Sequence, residues 1–599
     1  MKKIKNVKFV GVIVIFIAAL ISVIFYFNYN KNNEILSKSD FPVLYSKDNS
    51  LYMMKNNFKT EKIADNIYSS KPESFSSVSE GSTITDDGKT VFYKGNILEN
   101  GTGILYKLDV KKNESTEIAK NVYDFDIYKS SGNIAYRVFE SDQTFTLYCY
   151  YGNKSFEISK GLDSNSVFFI ANSGQNVVYK KQNMEKGSFY STAINSNENQ
   201  ICLSENVAGY SYNKKGDKVY YVDVKSDETG DKYILYMYDF VNSPQIIDED
   251  VSPYIKVAGD DETLYYYKNV GITLKASDYV VDDLAEQDKN IAVPDPLAFS
   301  GKTLEEYMTA EAAYKSKEVR DSIRQFIVTT EISVPSNTLY SYNNGEKKVI
   351  AENVFESYGI DSKNSFIIYS ILDISKLPKI NISQIGLPSD ITNILSQSIQ
   401  SSSKDVYICK SGKNPSKIEG YSNINLLTTK ISAGSDKIMF FDNYTESTGG
   451  KLVIASVNEN GNISGYFEPL NSTLVKTAIF DDLTGNTAFS YTDASGKNIL
   501  EFTDGKTSEK VVENPSAYCF GTDNGILYYI EETDNESGAG NLCYIENGTV
   551  YTIDKDVYFM FYIGEGKMLY MNTKGSMFVF ENGKSKQIDT GVESLFIYE

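Results

Sequence analysis

The chain has 599 residues and a net charge of −20 at neutral pH, which argues against nucleic acid as a partner because phosphate binding requires a surplus of Lys and Arg. It contains no His and no Trp, so every Ser-His-Asp, Cys-His or His-metal site within the chain is excluded. Five cysteines lie far apart without a C-x-x-C spacing, which predicts small buried hydrophobes, with one or two bridges between neighbouring strands as the alternative.

The first predicted element is an uncharged apolar run at residues 9–27, preceded by four lysines within residues 1–8. A helix of this length just spans a hydrocarbon core of ~30 Å. The positive-inside rule makes residues 1–8 a cytoplasmic stub, residues 28–40 a linker and residues 41–599 extracellular. A cleaved signal peptide is the alternative, but the run is long and ends in bulky residues, which favours an uncleaved anchor. The predicted location is the cell membrane, with a single pass.

Residues 41–599 contain a recurring unit rich in Tyr and Phe, residue types that favour strands. One phrase closes each unit: an alternating strand, an Asn or acidic corner, then Val or Ile and an aromatic residue. It occurs at residues 62–68, 117–123, 202–210, 246–254, 349–355, 511–518, 552–558 and 587–594. A turn and a Tyr-rich second strand follow each corner, and a third strand precedes the next corner. Four short strands at a spacing of roughly 40–45 residues predict the blades of a β-propeller.

The two ends of this region are complementary. Residues 591–599 have the pattern of a first strand without successors, whereas residues 41–64 have that of second, third and fourth strands without a predecessor. Pairing them would complete one blade and remove an open sheet edge. The count is then about eleven units, against roughly 4–8 blades in a usual ring. We therefore predict two rings of five and six blades, with a single eight-bladed ring as the alternative.

Two insertions interrupt the units, at about residues 271–335 and 372–403. In the first, Thr303 and Glu306 predict a capping box that begins a helix extending to about Ile327. In the second, residues 389–400 predict a short helix with one apolar face, formed by Ile391, Ile394, Leu395 and Ile399. The insertions are interpreted either as a lid or docking platform, or as a packed decoration that covers an edge or the seam between rings.

The turn before the second strand, above all DDGKTVFY at residues 86–93, resembles the S-P-D-G-K-like turn of TolB-type β-propellers. The resemblance covers most of residues 41–599. The copies lack the Pro, and only Asp87-Gly88 keeps the full Asp-Gly pair. The resemblance implies a fold and carries over no functional residue.

Paired carboxylates are the catalytic groups that remain in a chain without histidine. The candidates for general acid/base chemistry of the glycosidase type are Asp260-Asp261-Glu262, Asp282-Asp283 and Asp481-Asp482. Each lies beside a turn or in a loop, where acidic side chains commonly accept main-chain hydrogen bonds and face solvent without a catalytic role. Residues 226–231 and 532–538 offer clustered oxygens for calcium, but neither follows the twelve-residue ligand pattern.

The Tyr stripes within the strands are predicted to pack in the core or between blades. The corner residues Tyr68, Tyr123 and Tyr254 are predicted to line a central channel.

The sequence therefore predicts a membrane-anchored extracellular β-propeller that acts as a binding or scaffold module at the cell envelope. Its expected partner is an unidentified protein, peptide or glycan, with no nucleic acid and no cofactor. No residue is assigned a catalytic, cofactor-binding or metal-binding role. A carboxylate-dependent extracellular carbohydrate-active enzyme is the alternative. A sensor is disfavoured, because the cytoplasmic stub leaves no room for an output domain.

Overall fold

The computed structural model describes residues 43–596, with gaps at residues 56, 69–75, 79–81, 141–142, 184–185, 229, 295–302, 335, 360–365, 411, 433–435, 459, 471–472, 535–536 and 547. The predicted anchor at residues 9–27 lies outside the described residues. Within them, no helix is both long and apolar enough to cross a membrane.

The described chain is mostly β and contains eleven four-stranded antiparallel units. Units 2 to 11 pair their strands in sequence order, and in unit 1 the last strand of the described chain precedes the first three strands in the order of the sheet. The strands of units 1 to 4 are β1 Val43–Lys47, β2 Ser50–Met54, β3 Thr60–Asp65 and β46 Val592–Phe596 in unit 1; β5 Ser82–Ile84, β6 Thr90–Gly95, β7 Gly103–Asp109 and the first half of β8 Glu114–Tyr128 in unit 2; the second half of β8, β9 Asn133–Phe139, β10 Phe145–Tyr151 and β11 Lys154–Leu162 in unit 3; β12 Val167–Ala171, β13 Asn176–Asn183, β14 Lys186–Ala193 and β15 Ile201–Ser204 in unit 4. A further short strand, β4 Ser76–Val78, lies between units 1 and 2 in the sequence.

The strands of units 5 to 8 are β16 Val207–Tyr212, β17 Val219–Asp227, β18 Gly230–Tyr238 and β19 Gln245–Glu249 in unit 5; β20 Val251–Val257, β21 Leu264–Asn269, β25 Asn337–Asn343 and the first half of β26 Glu346–Gly359 in unit 6; the second half of β26, β27 Phe366–Leu372, β29 Lys404–Lys410 and β30 Ser416–Lys417 in unit 7; β31 Lys430–Ile431, β32 Lys437–Thr445, β33 Gly449–Val457 and β34 Ile463–Phe467 in unit 8.

The strands of units 9 to 11 are β35 Thr477–Phe480, β36 Thr487–Thr492, β37 Asn498–Thr503 and β38 Ser508–Glu513 in unit 9; β39 Pro515–Phe520, β40 Leu527–Asp534, β41 Ala539–Glu546 and the first half of β42 Thr549–Tyr562 in unit 10; the second half of β42, β43 Met568–Asn572, β44 Ser576–Glu581 and β45 Lys584–Thr590 in unit 11. The remaining elements are β22 Ile272–Lys275, β23 Val280–Val281, β24 Glu331–Val334 and β28 Ile380–Asn381, the helices α1 Ala285–Asp288, α2 Leu304–Thr329 and α3 Asp390–Ser401, and the short 3-10 helices Asn172–Gly174, Ala276–Asp278, Ile374–Lys376 and Ile382–Gln384.

The repeated corner of the sequence has a conformational cause. At seven of the corners one residue adopts the left-handed backbone conformation, which Asn, Asp and Gly reach at the lowest cost. These corner residues, with φ between 53° and 69°, are Asn66, Asn121, Asp250, Asn353, Asn514, Asp556 and Gly591. The corner is therefore the point at which the chain leaves one unit and enters the next.

The abundance of Tyr is explained by a stack that recurs between the second and third strands. In eight units, two aromatic rings lie at centroid distances of 5.1–5.6 Å with nearly parallel planes, an arrangement that stabilises cross-strand pairs. The pairs are Tyr45–Tyr52, Tyr93–Tyr106, Tyr136–Tyr148, Tyr179–Tyr190, Tyr221–Tyr236, Tyr266–Tyr340, Tyr369–Tyr407 and Tyr570–Phe578. The Tyr stripes are thus packing residues, as predicted.

Neighbouring units bury their sheet faces against one another. Between units 2 and 3, for example, Phe92 and Leu105 pack with Ile134 and Tyr136 in one buried cluster. Equivalent clusters join every pair of consecutive units, and another joins unit 11 to unit 1. In the described part of the chain, no hydrophobic cluster joins units that are distant in this cyclic order. The packing order is therefore that of one closed series, in which each unit contacts the units before and after it.

Unit 1 is assembled from both ends of the described chain. Tyr45 lies opposite Leu595 in an antiparallel pairing of β1 with β46, the arrangement predicted from the two complementary ends. The buried hydroxyl oxygens of Ser46 and Ser594 are 2.6 Å apart, and the Tyr45 hydroxyl donates to Asp589 at 2.7 Å. On its other edge β46 pairs in parallel with β4, a strand that the sequence did not predict.

Candidate functional site

The first strand of each of units 2 to 11 is the edge strand of that unit, and in several junctions it contacts the first strand of the next unit. The Asp126 carboxylate of unit 3 accepts the main-chain N–H of Ile170 in unit 4 at 3.0 Å. The Ser211 hydroxyl of unit 5 accepts the N–H of Val257 in unit 6 at 3.1 Å. Side chains of one unit thus satisfy donors on the unpaired edge of the next unit. These first strands form the wall that a β-propeller presents to its centre.

One register position recurs along this wall, and we name it the inner row. Each second strand carries a characteristic aromatic residue, and the inner-row residue is the first-strand partner of the residue just before it. In unit 3, for example, the aromatic residue is Tyr136, the residue before it is Ala135, and Asp126 lies opposite Ala135. From unit 1 to unit 11 the inner row consists of Phe596, Thr83, Asp126, Phe169, Ser211, Lys256, Tyr358, Lys430, Ile479, Cys519 and Phe561. Its charged members fall in units 3, 6 and 8, whereas units 9 to 11 and unit 1 contribute only apolar or thiol side-chain types.

The charged members of the inner row have perturbed pKa values. Desolvation raises the pKa of Asp126, and the hydrogen bond from Ile170 partly offsets this rise. Desolvation lowers the pKa of Lys256, and repulsion from Lys430 lowers it further. Desolvation also lowers the pKa of Lys430, while Asp482 acts in the opposite direction. Groups of this kind gather at functional sites more often than elsewhere, so the inner row is the candidate binding surface.

Aromatic side chains lie beside the acidic part of the inner row. The rings of Phe169 and Tyr212 stack with centroids 4.0 Å apart, and Tyr212 keeps 44% of its surface exposed. Desolvation and the Asp126 carboxylate raise the pKa of Tyr212 to about 12, so its hydroxyl stays protonated and can donate at neutral pH. An exposed ring with a polar tip suits contact with a sugar or peptide.

The three corner tyrosines do not share one role. The Tyr68 hydroxyl lies 3.0 Å from the Ser594 hydroxyl on the first strand of unit 1, and Tyr254 is 52% exposed on the first strand of unit 6. Tyr123 lies on the first strand of unit 3 and is 38% exposed, and the guanidinium of Arg137 lies 5.7 Å from its ring centroid. Tyr123 and Tyr254 therefore lie on first strands, and Tyr68 contacts a first strand through its hydroxyl.

The acidic pairs of the units act within turns and junctions. Asp260 accepts the main-chain N–H of Thr263 at 2.8 Å and so shapes its own turn. Asp261, with φ of 63°, accepts two main-chain N–H groups from the turn of the preceding unit. Asp481 accepts the N–H of Thr484 at 2.9 Å. The structure places these carboxylates in units 6 and 9, and none belongs to the inner row.

The two loops considered for calcium are hairpin turns. In the first, the Ser226 hydroxyl donates to Asp231 at 2.6 Å; in the second, the Ser537 hydroxyl donates to Asp534 at 2.5 Å. In the described ranges, no group of three or more Cys, Asp or Glu side chains is placed to hold a metal ion.

All five cysteines are free thiols. Three of them, Cys149, Cys409 and Cys543, are buried as predicted, and Cys519 is half-buried. Cys202 is the exception, because it lies exposed on the last strand of unit 4.

The two insertions fold together as one substructure, which we name the platform; it comprises residues 270–336 and 373–403 without their undescribed positions. Ile323 of α2 and Leu395 of α3 belong to one buried core, and Val280 pairs in parallel with Ile380. The predicted capping box of Thr303 begins α2, and α3 buries the predicted apolar face. The two insertions therefore share one core, in which Leu372 of β27 also takes part.

Ion pairs hold the platform together. Arg324 of α2 pairs with Asp282 and Asp288, each at 2.7 Å, and Arg320 pairs with Asp288 at 2.5 Å. The hydrogen bond from Arg320, opposed by desolvation and aided by Arg324, lowers the pKa of Asp288 to about 2. Asp283 accepts a main-chain N–H from the second insertion at 3.1 Å. The pair Asp282-Asp283 therefore joins elements of the platform.

Comparisons with known proteins give structural neighbours only. No protein-family model matches the chain, and no curated protein matches it. Similar solved structures include a eukaryotic initiation factor (TM-score 0.37, 9% identity, covering 86% of this chain and 97% of that chain). Others are TolB from Acinetobacter baumannii (TM-score 0.21, 12% identity, 38% and 57% covered) and the β-propeller domain of the Trilobed protease from Pyrococcus furiosus (TM-score 0.24, 13% identity, 70% and 93% covered).

TolB, whose repeat the turn motif resembles, is among these neighbours. With identities and TM-scores this low, the neighbours carry no argument about activity or ring number. The assignment of the chain to the β-propeller class rests on its four-stranded antiparallel units and on their face-to-face packing in sequence order.

Proposed function

We propose that the chain is a membrane-anchored extracellular β-propeller that acts as a binding or scaffold module at the cell envelope. The observation that carries this proposal is the uneven inner row. All its polar and charged members lie in units 2 to 8, where Phe169 of unit 4 is the apolar exception, and units 9 to 11 and unit 1 contribute only apolar or thiol side-chain types. A recognition surface needs such a division, because a few placed polar groups fix the orientation of a ligand while apolar groups supply contact area.

The proposal includes a single ring of eleven units around a central channel. It is supported by the packing order, in which each unit contacts the units before and after it and unit 11 contacts unit 1. Two-dimensional averages from electron microscopy of the full-length chain should show one ring with eleven radial divisions. Two smaller rings in each particle would overturn this part of the proposal.

Anchoring is supported by the sequence of residues 1–40 alone. Removing these residues should release the protein from the membrane fraction, and protease added to intact cells should cleave the full-length chain. A truncated chain that stays in the membrane fraction, or a full-length chain that is protected, would contradict the proposed orientation.

Binding is favoured over carboxylate-dependent catalysis by the contacts of the candidate acids. Asp260, Asp261 and Asp481 accept hydrogen bonds that shape turns, and Asp282 is paired with Arg324. A glycosidase needs two carboxyl groups facing one sugar, with distinct protonation states. The proposed partner is a protein, a peptide or a glycan of the envelope.

The test compares two tyrosines of matched exposure. The purified full-length chain is applied to arrays of envelope glycans and peptides, together with Tyr212→Ala and, as the control, Tyr151→Ala; these side chains are 44% and 43% exposed. Tyr212 lies on the first-strand wall, whereas Tyr151 ends the third strand of unit 3. Loss of an aromatic anchor should weaken binding about tenfold in the first variant only.

Three results of this test count against the proposal. No ligand on any array, or an equal loss in both variants, would refute channel binding. Release of sugar products that stops in Asp482→Asn or Asp261→Asn would establish the enzymatic alternative instead.

A further inference from the structure

Two lysines of the inner row occupy equivalent positions in units 6 and 8. Lys256 lies opposite Tyr265 in unit 6, and Lys430 lies opposite Met439 in unit 8, so both occupy the same register position. No ion pair or hydrogen bond engages either ammonium group within the described part of the chain. Acidic residues number 79 against 59 basic ones, so these unpaired cations form a local exception to an acidic protein.

The neighbouring units show what this register position otherwise does. Asp126 and Ser211 each accept a main-chain N–H from the first strand of the following unit. A lysine cannot accept, because its ammonium group only donates. In units 6 and 8 the inner row therefore presents a donor where units 3 and 5 present an acceptor.

Unit 7 lies between the two lysines in the packing order. One buried cluster joins it to unit 6 and another joins it to unit 8. Lys256 and Lys430 are therefore separated by a single unit.

The two ammonium groups are close enough to influence each other. Repulsion from Lys430 adds to desolvation in lowering the pKa of Lys256. The Lys430 charge is opposed by Asp482, which belongs to the turn after β35 and not to the inner row. Asp482 therefore offsets part of the positive charge of Lys430.

We propose that Lys256 and Lys430 bind an oxyanion, a carboxylate or a phosphate group, on the ligand of the central channel. Two cationic donors match the charge and the multiple acceptor positions of such a group. The oxyanion would be the polar end of the ligand, which the apolar inner row of units 9 to 11 would contact elsewhere. This inference rests on the proposed function.

The test uses two double variants of equal net charge. In the full-length chain, Lys256→Gln with Lys430→Gln removes the site, and Lys574→Gln with Lys584→Gln removes two exposed lysines of unit 11 that form no ion pair in the described structure. Inorganic phosphate and succinate are titrated at constant ionic strength, with chloride as the reference. The readouts are the rise in melting temperature and the broadening of the phosphorus resonance.

Phosphate, succinate or both should bind saturably to the unmodified chain and to the control variant, and the relative affinities identify the oxyanion. The apparent Kd should rise at least about tenfold in Lys256→Gln/Lys430→Gln, since both charges are removed. In chloride alone this variant should melt no lower than the unmodified chain, because it loses a mutual repulsion. Equal anion binding by the two double variants, or no binding by the unmodified chain, would overturn the inference.

The outcome is separable from that of the proposed function. If an array ligand binds the unmodified chain and Lys256→Gln/Lys430→Gln equally, the oxyanion site is refuted and the binding module stands. If no array ligand binds, the proposed function is refuted whatever the anions do.

Discussion

Replacing Tyr45 with Phe probes the seam between the first and last units. Tyr45 is fully buried, and its hydroxyl donates to Asp589 of unit 11 at 2.7 Å. A hydrogen bond to a charged acceptor contributes about 1.5–3 kcal/mol. Asp589 also pairs with Lys47 at 2.5 Å, so its negative charge remains compensated after the substitution. We therefore expect the free energy of unfolding to fall by about 2 kcal/mol, below the roughly 3–5 kcal/mol of an uncompensated buried charge.

Urea titration at pH 7 measures this loss, with circular dichroism and tyrosine fluorescence as probes in a chain that has 47 Tyr and no Trp. The matched control is Tyr369→Phe. Its ring is 1% exposed, and its hydroxyl has no hydrogen-bond partner among the residues that the structure describes. The control should change the free energy by less than about 0.5 kcal/mol. Equal losses in the two variants would refute a specific role for the bond across the seam.

The same bond predicts a dependence on pH. Burial alone would raise the pKa of Asp589, but the hydrogen bonds from Lys47 and Tyr45 outweigh it and hold the pKa below its ordinary value. A carboxyl whose pKa is lowered by folding stabilises the protein above its unfolded pKa of about 4, and this contribution is lost as pH falls through the folded-state pKa. The difference between the unmodified chain and Tyr45→Phe should therefore shrink below about pH 4. A difference that stays constant down to the acid transition would contradict the reasoning.

The platform gives two further tests. Leu395→Ala should cost about 2–5 kcal/mol through a cavity in the platform core, with faster hydrogen exchange in α2 and α3 and unchanged exchange in distant units; a uniform rise across all units would count against a separate core. Asp288→Asn should destabilise the platform by about 3 kcal/mol, because Arg320 and Arg324 lose a carboxylate that is only 4% exposed. In the unmodified chain, the contribution of Asp288 should disappear as pH falls from the ordinary value of about 4 toward its lowered pKa of about 2. Limited proteolysis of the unmodified chain and of Asp288→Asn, at pH 7 and at pH 3, measures the effect of the substitution and the effect of pH. Equal cleavage of the platform in both chains at both pH values would contradict these two expectations.

Local rules account for the parts of the fold that the sequence predicted. The corner at Asn121 could be found because a left-handed residue restricts the side chains that fit. The start of α2 could be found because Thr303 and Glu306 satisfy each other's main-chain donors within one turn. The pairing of β1 with β46 could be predicted because each chain end lacked what the other supplied.

Long-range geometry decides the features that the sequence did not reveal. The number of rings depends on the angle between packed units, which no single unit encodes. In the sequence, Asp282 is one of two adjacent acidic residues. Its ion-pair partner Arg324 is distant along the chain and reaches it only because α2 packs beside it. The strand β4 carries no alternation of polar and apolar residues. Tyr123 has the sequence context of Tyr68 but packs beside Arg137, a residue type that occurs at only three positions.

The inner row shows a similar limit. Its members are separated by some forty residues or more along most of the chain and share no residue type, so they align only through strand register. The signal that could have found Lys256 and Lys430 is the position of the second-strand aromatic in each unit, from which the opposite residue on the first strand can be counted.

The central claim is that the last strand of the chain completes the first sheet, and a cross-link tests it most directly. Ser46 and Ser594 are opposite each other in β1 and β46, with hydroxyl oxygens 2.6 Å apart, which suits a disulfide. The folded chain carrying Ser46→Cys and Ser594→Cys should form this bond under mild oxidation, visible as a shift in mobility on a non-reducing gel. A control with Ser46→Cys and Ser585→Cys should not shift. A folded Ser46→Cys/Ser594→Cys chain that stays reduced and unshifted would contradict the closure of the propeller.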